Sequence, residues 1–125
     1  GVLPKGRGCY YPVTALADVR PGMPAYDEEL FGPVASIISA KDEADALRIA
    51  NDTAYGLGAA VFTRDRRRGE TLARERIDAG MVFGNDFGRS DVSLPFGGVK
   101  DSGFGRELGE FGTHAFVNIK TLWIT

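Results

Sequence analysis

An α/β fold built on a partial parallel βαβαβ sheet is predicted by three features of the 125-residue chain. Apolar runs of strand length recur at Val34-Ala35-Ser36-Ile37-Ile38-Ser39, Ala59-Ala60-Val61-Phe62 and Met81-Val82-Phe83. Two segments with helical spacing of apolar residues separate them, and the connections are short. Mostly apolar strands alternating with amphipathic helices are the pattern of a sheet buried on both faces and crossed by helices.

The elements follow in order. Residues 1–11 are rich in Gly and aromatic residues and lead into Pro12-Val13-Thr14-Ala15-Leu16, a short strand candidate. Asp18 to Pro24 reads as a turn region, marked by Pro21-Gly22 and Pro24. Glu28-Glu29-Leu30-Phe31-Gly32-Pro33 is a loop stiffened by its Gly-Pro pair. After the first apolar run, Asp42 can cap a helix whose first turn carries Glu43 and Asp45. Ala46, Leu47 and Ala50 share a face, and that helix is expected to end near Asn51. Gly56 and Gly58 bracket the turn into the second run. Asp65 opens a second helix with Gly69, Leu72, Ala73 and Ile77 as its apolar stripe, and Gly80 is placed to terminate it. Asp86 to Arg106 is a long loop with five glycines, too long for an ordinary connector and therefore a functional candidate. Arg106 to Phe116 has weak helical character, broken by Gly109 and Gly112. Val117 to Ile124 is expected to be a last strand with Val117, Ile119, Thr121 and Trp123 on one face. It would be covered by another segment or subunit.

Composition narrows the function classes. The apolar share of 43% and charged share of 26% are those of an ordinary globular chain, long enough for one core. A formal charge of −2 offers no field for nucleic acid or an anionic membrane. No apolar run approaches the ~20 residues of a membrane span, and Gly1-Val2-Leu3-Pro4-Lys5 is no signal peptide. Cys9 is the sole cysteine, so no internal disulfide forms, and a reducing, cytoplasmic setting is expected. The chain opens on Gly1 rather than Met, within a loop-like stretch, and is expected to be part of something longer.

Cys9 is the one thiol to weigh as a nucleophile. It lies among Gly8, Tyr10, Tyr11 and Pro12, with no His or helix start nearby to lower its pKa. His114, the only histidine, sits beside Ala115 and Phe116; both residues read as structural, and no catalytic residue is assigned. Gly103, Gly105 and Gly109 miss the dinucleotide fingerprint by one residue and do not follow a strand. No G-x-x-x-x-G-K-S/T or G-x-S-x-G occurs, and no metal-ligand spacing either. Arg64, Arg66, Arg67 and Arg68 alternate with acids at helical spacing and read as a solvated face. Asn51-Asp52-Thr53 matches a glycosylation acceptor but lacks a secretory context. Glu28 and Glu29 are adjacent and diverge, a poor pair for glycoside chemistry. A lone carboxylate beside Phe31 suits a ribose diol with a flat heterocycle against the ring. A charged loop with a core Phe stands level with that reading on the residues alone.

Three motifs then carry a resemblance. Glu28-Glu29-Leu30-Phe31-Gly32-Pro33-Val34 resembles the E-E-x-F-G-P-V motif of the aldehyde dehydrogenase superfamily. Ala50-Asn51-Asp52-Thr53-Ala54-Tyr55-Gly56-Leu57 is similar to its A-N-x-T-x-Y-G-L segment. Residues 95–107, from Pro95-Phe96-Gly97-Gly98 through Gly105-Arg106-Glu107, resemble its P-F-G-G-x-K-x-S-G-x-G-R-E block. They fall in the family's order along essentially the whole chain.

The resemblance implies NAD(P)-dependent oxidation of an aldehyde to an acid. A Cys thiolate attacks the aldehyde, hydride passes from the thiohemiacetal to the nicotinamide, and a Glu-activated water releases the acid. It implies that Glu29 binds the nicotinamide ribose, that Phe31 packs by the nicotinamide, and that Phe96 lines the aldehyde tunnel. In the family the nucleophile, the general base and the Rossmann-type domain lie upstream of E-E-x-F-G-P-V, where this chain has only 28 residues before Glu29. The chain therefore resembles the carboxyl-terminal part of the catalytic domain, with 1–116 in that domain and 117–125 in an oligomerisation sheet. Ser90, five residues after Asn85 and followed by Asp91, is similar to the Ser that helps hold the substrate carboxylate in succinate-semialdehyde dehydrogenases. A hydroxyl alone suits a carboxylate poorly, so an Arg is expected nearby; the family supplies it from upstream, and Arg89 is a local candidate, with a solvent-exposed surface residue as the alternative. The closing segment resembles the NAD-preferring bacterial branch, which favours NAD over NADP. The expected partners are a small aldehyde, the rest of the dehydrogenase chain and a second copy or more, as homodimer or homotetramer. The alternative is a stand-alone, non-catalytic oligomerisation or binding module derived from that domain.

Overall fold

The computed structural model describes residues 2–3 and 5–125; Gly1 and Pro4, from the amino end read above, lie outside the described residues. The chain divides into two compact units, 1–49 and 50–125. In the first, β1 (Thr14–Leu16) pairs in parallel with β2 (Val34–Ser36), with Thr14 opposite Val34. The pairing is extended when Val19 N–H donates to the Ile37 carbonyl and Ile37 N–H to that of Leu16. Between the strands, the expected turn before Pro24 gives way to a single helical turn, α1 (Pro24–Asp27). Pro24 occupies the first helical position, where the missing N–H costs nothing.

Helix α2 (Glu43–Asn51) starts where Asp42 predicts: its carboxylate accepts from Asp45 N–H at 2.8 Å. Asp45 holds Arg48 at 2.9 Å one turn on. Its carboxyl is lowered below the usual range, first by the Lys41 N–H that it accepts and then by the Arg48 guanidinium.

The second unit is built on β4 (Gly58–Val61), α3 (Arg66–Glu75) and β5 (Met81–Gly84), the two strands parallel with Gly58 opposite Met81. Asp65 caps α3 by accepting from Arg68 N–H at 3.0 Å. Buried Gly69 lets the helix close on the chain after β4, since a Cβ there would lie 2.7 Å from Thr63 Cγ2. Two-residue strands β3 (Tyr55–Gly56) and β6 (Val99–Lys100) pair antiparallel, and α4 (Gly109–His114) follows.

The α/β class and the parallel strand pairs agree with the sequence, but one expectation, the Gly80 stop, is corrected. The described strands pair as β1 with β2, β3 with β6 and β4 with β5. Gly80 does not end α3, which stops at Glu75 with Arg76 as its cap. Residues 117–124, expected as a strand covered by another segment or subunit, make no ladder with a described segment, and Val117, Ile119, Leu122 and Trp123 are exposed.

Burial is thin. Among the described residues, Val19 and Leu47 are the buried apolar side chains, at 4% and 9% exposure. The accessible surface is 10406 Å². Surface scaling gives about 7,800 Å² for a chain of this mass counted as two separately folded units. Large apolar side chains, among them Phe31, Phe104, Phe116 and Trp123, are left facing outward.

Candidate functional site

Position in a site begins with the loop 28–34 of the first unit. Glu28 N–H closes α1 on the Pro24 carbonyl, and Val34 N–H reaches back over Pro33 to the Gly32 carbonyl at 2.7 Å. Thr14 N–H then accepts the chain into the sheet by donating to Pro33 O at 2.9 Å. Between these ties, Phe31 takes a positive φ of 46° and its ring is 90% exposed. An aromatic residue in the left-handed region is strained, and strain of this kind concentrates at ligand-contacting loops. Glu29 is exposed two residues earlier. Both groups are exposed on this chain. An exposed carboxylate and an exposed ring on a tied loop fit a diol and a flat ring system.

The second unit holds a cavity of about 610 Å³ on the β4–β5 pair. Leu57, Met81, Phe83 and Phe96 supply apolar wall, and Arg89 and Ser90 supply the polar groups. The structure thus brings Ser90 and Phe96 together. Phe96 is fixed through its backbone: its N–H donates to Glu107 O at 2.7 Å, and Glu107 N–H returns to Phe96 O at 2.8 Å. The next turn is pinned by Arg106, whose Nη1 donates to Gly98 O at 2.6 Å and Gly105 O at 2.8 Å. Gly80 packs directly against Gly97, where a Cβ would fall 1.9 Å from the carbonyl oxygen.

The Ser90 loop is ordered by its own carboxylates. Asp91 accepts from Ser93 Oγ at 2.6 Å and Ser93 N–H at 2.9 Å, and these bonds lower its carboxyl below the usual range. Arg89 Nη2 meets Asp86 Oδ2 at 3.0 Å.

Residues that pattern reading passed over hold the unit together. Asn85, at the end of β5 with φ 54°, accepts from Thr63 N–H at 2.8 Å and donates to Thr63 O at 3.0 Å. Asn51 does the same across another gap, donating to Arg76 O at 2.8 Å and accepting from Asp78 N–H at 2.9 Å. Lys100 Nζ donates to Asn51 O and Thr53 O and pairs with Asp78 at 3.3 Å. The signal for the two asparagines was their place at the last residue of a helix and just past a strand, where a side-chain amide substitutes for a missing peptide. Cys9 is a free, exposed thiol, and no group of three metal-ligating side chains occurs among the described residues. No described helix is long and apolar enough to cross a membrane.

These motifs and this geometry have a known counterpart. The family model of the aldehyde dehydrogenase family matches residues 2–122. The chain belongs to the aldehyde dehydrogenase family. It is 52% identical over 118 residues to the succinate semialdehyde dehydrogenase (NAD(P)+) Sad of Escherichia coli (strain K12), covering 94% of this chain and 25% of that protein. It is 50% identical over 120 residues to a succinate-semialdehyde dehydrogenase (NADP(+)) of Deinococcus radiodurans, covering 96% and 25%. The crystal structure of succinic semialdehyde dehydrogenase from Streptococcus pyogenes in complex with NADP+ superimposes with a TM-score of 0.83 at 40% identity. That superposition covers 88% of this chain and 24% of the other. The chain thus spans about a quarter of the length of the relatives it matches.

Proposed function

We propose that the protein to which this chain belongs is an NAD(P)-dependent aldehyde dehydrogenase that oxidises a carboxylated aldehyde, succinate semialdehyde, to the acid. The observation that carries the substrate class is the cavity, where the Ser90 hydroxyl lies among apolar walls that include Phe96. A four-carbon semialdehyde has an apolar stem and an anionic end, the complement of that lining. The relatives named for succinate semialdehyde support the same class.

The chain's own residues bind and orient. The Glu29 carboxylate accepts from the ribose diol, Phe31 packs beside the nicotinamide, and Phe96 lines the aldehyde path. When bound, the cofactor supplies the hydride acceptor. The nucleophilic Cys and the general base belong to the family's upstream segment, so the reaction runs in the longer protein and not on this chain alone. The rest of that protein and a further copy would cover the outward apolar residues, with 117–125 as the contributed interface strand, in a cytoplasmic homodimer or homotetramer. The likeness of the closing segment argues for NAD, and relatives named for NAD(P)+ and NADP(+) extend the choice to NADP.

Initial rates of the full-length protein with succinate semialdehyde and with butanal, each under NAD+ and NADP+, test the reading. Preferential conversion of succinate semialdehyde to succinate is expected, with Ser90→Ala losing much of the preference. An unchanged preference in S90A removes the role given to Ser90, and no cofactor-dependent oxidation of either aldehyde removes the function.

A further inference from the structure

Two walls of the Ser90 cavity come from the two ends of one short ladder. Leu57 directly follows β3, Phe96 lies shortly before β6, and both line the cavity. The ladder between these strands pairs Tyr55 with Lys100 and Gly56 with Val99. A two-stranded ladder of this length is marginal by itself, so the spacing of Leu57 and Phe96 depends on what else joins the strands. The close approach continues at Gly98, where a Cβ would lie 3.3 Å from Leu57 Cα.

We infer that Lys100 is a positioning residue for the aldehyde site: its ammonium clamps β6 to the chain leading into β3 and so fixes the gap between Phe96 and Leu57. The inference rests on the aldehyde reading of the cavity given above and adds to it a residue outside the cavity wall.

Three observations carry it. Lys100 Nζ donates to Asn51 O at 3.0 Å and to Thr53 O at 3.2 Å, 49 and 47 residues away, and meets Asp78 Oδ2 at 3.3 Å. Hydrogen bonds from a charged donor are the stronger kind. The Lys100 side chain is 23% exposed, against 70% and 75% for Arg74 and Arg89 in their ion pairs. The backbone points the same way. Lys100 has a φ of 54°, in the left-handed region that favours glycine, so a lysine is strained here and its side chain is what sets it apart from glycine. The clamp also has company along the strand. Asp101 N–H donates to Ala54 O at 3.0 Å and Gly56 N–H to Ser102 Oγ at 3.0 Å, so residues 100–102 grip residues 51–56 at successive points. Gly97 and Gly98 alone separate β6 from Phe96, and a shift of Lys100 is carried through them to the ring.

The test uses the full-length enzyme and three variants. K100M keeps the stem and removes the charge, K100R keeps the charge, and K100G removes the side chain while relieving the backbone. KM is measured for succinate semialdehyde and for the dinucleotide that the wild type uses, with kcat from the same series. In K100M and K100G, KM for succinate semialdehyde is expected to rise about tenfold, the scale of a lost hydrogen bond from a charged group. KM for the dinucleotide stays within about twofold, as for substitutions away from its site. K100R recovers part of the loss. Where K100M does not fold, K100G carries the comparison. A fall in kcat with both KM values kept, or equal rises in the two KM values, shows a general loss of structure and overturns the inference. An aldehyde KM unchanged in K100M, or a K100G that behaves as wild type, overturns it and leaves the aldehyde reading standing. Loss of folded protein in both K100M and K100G makes Lys100 a stability residue and overturns it as well. A wild type that oxidises no aldehyde with either dinucleotide overturns the aldehyde reading, and the role of Lys100 with it.

Discussion

Replacing Gly80 by alanine puts a methyl group into the contact that ties β5 to the Phe96 turn. The added Cβ would lie 1.9 Å from the Gly97 carbonyl oxygen and 2.8 Å from both the Gly97 carbonyl carbon and Gly98 Cα. All three atoms are backbone, so no side-chain rotation relieves the overlap, and one of the two segments must move by more than an ångström. Overpacking of this kind costs about 1–3 kcal/mol, and the absence of a flexible neighbour places G80A near the upper end. About 3 kcal/mol is a factor of roughly 150 in a local opening equilibrium, at 1.36 kcal/mol per tenfold. Hydrogen exchange on the full-length enzyme reads this directly. The Gly80 N–H bond to Gly56 O, 2.9 Å, and the Met81 N–H bond to Leu57 O, 3.1 Å, lose protection by about 100-fold in G80A. Gly84 is the control: a Cβ there meets nothing within 4 Å, so G84A leaves both amides protected. Equal protection in the two variants, or loss in both, would refute the reasoning.

Further outcomes follow from the same geometry. Asn51→Ala removes two bonds at the end of α2 and destabilises the fold by about 2 kcal/mol, at ~1 kcal/mol per bond; a denaturation midpoint unmoved by N51A contradicts the bridge. Asn85→Asp keeps the acceptor for Thr63 N–H but sets a carboxylate oxygen against Thr63 O, and is expected to cost more than Asn85→Ser. The lowered Asp91 carboxyl means that its Ser93 turn is fully formed above the ordinary carboxylate value of 3.8 and is lost as pH falls below it. The Ser93 amide shift should therefore titrate with a midpoint below 3.8 and stop titrating in D91N; a midpoint above that value reverses the sign. Glu29→Gln in the full-length enzyme raises KM for the dinucleotide with little change in KM for aldehyde, measured by varying each in turn. An aldehyde-only effect would move Glu29 out of the cofactor site.

Local signals were read correctly because they are satisfied locally. Asp42 and Asp65 cap helices with their own carboxylates within three residues, whatever the rest of the chain does. The apolar runs at Val34 and Met81 became strands too, with ladders made to segments about 20 residues away. Pairing is a non-local property, and the sequence could not tell that β2 takes β1 as its partner. Gly80 was misread because glycine serves two purposes: the helix-ending pattern is common, but here the backbone of residue 97 needs the space. The segment 117–124 has the alternation of a strand and yet makes no ladder, since alternation specifies a face and not a partner. For the candidate site, motifs named Ser90 and Phe96, while the cavity that they line with Arg89 depended on how a long loop folds back over β4 and β5.

The substrate assignment is tested most directly by a crystal structure of the full-length enzyme with succinate, the reaction product, bound. The account predicts a carboxylate oxygen within about 3 Å of Ser90 Oγ, with the carbon chain against the Phe96 ring. Succinate held with both carboxylates away from Ser90, or in a cavity that Phe96 does not line, would contradict it.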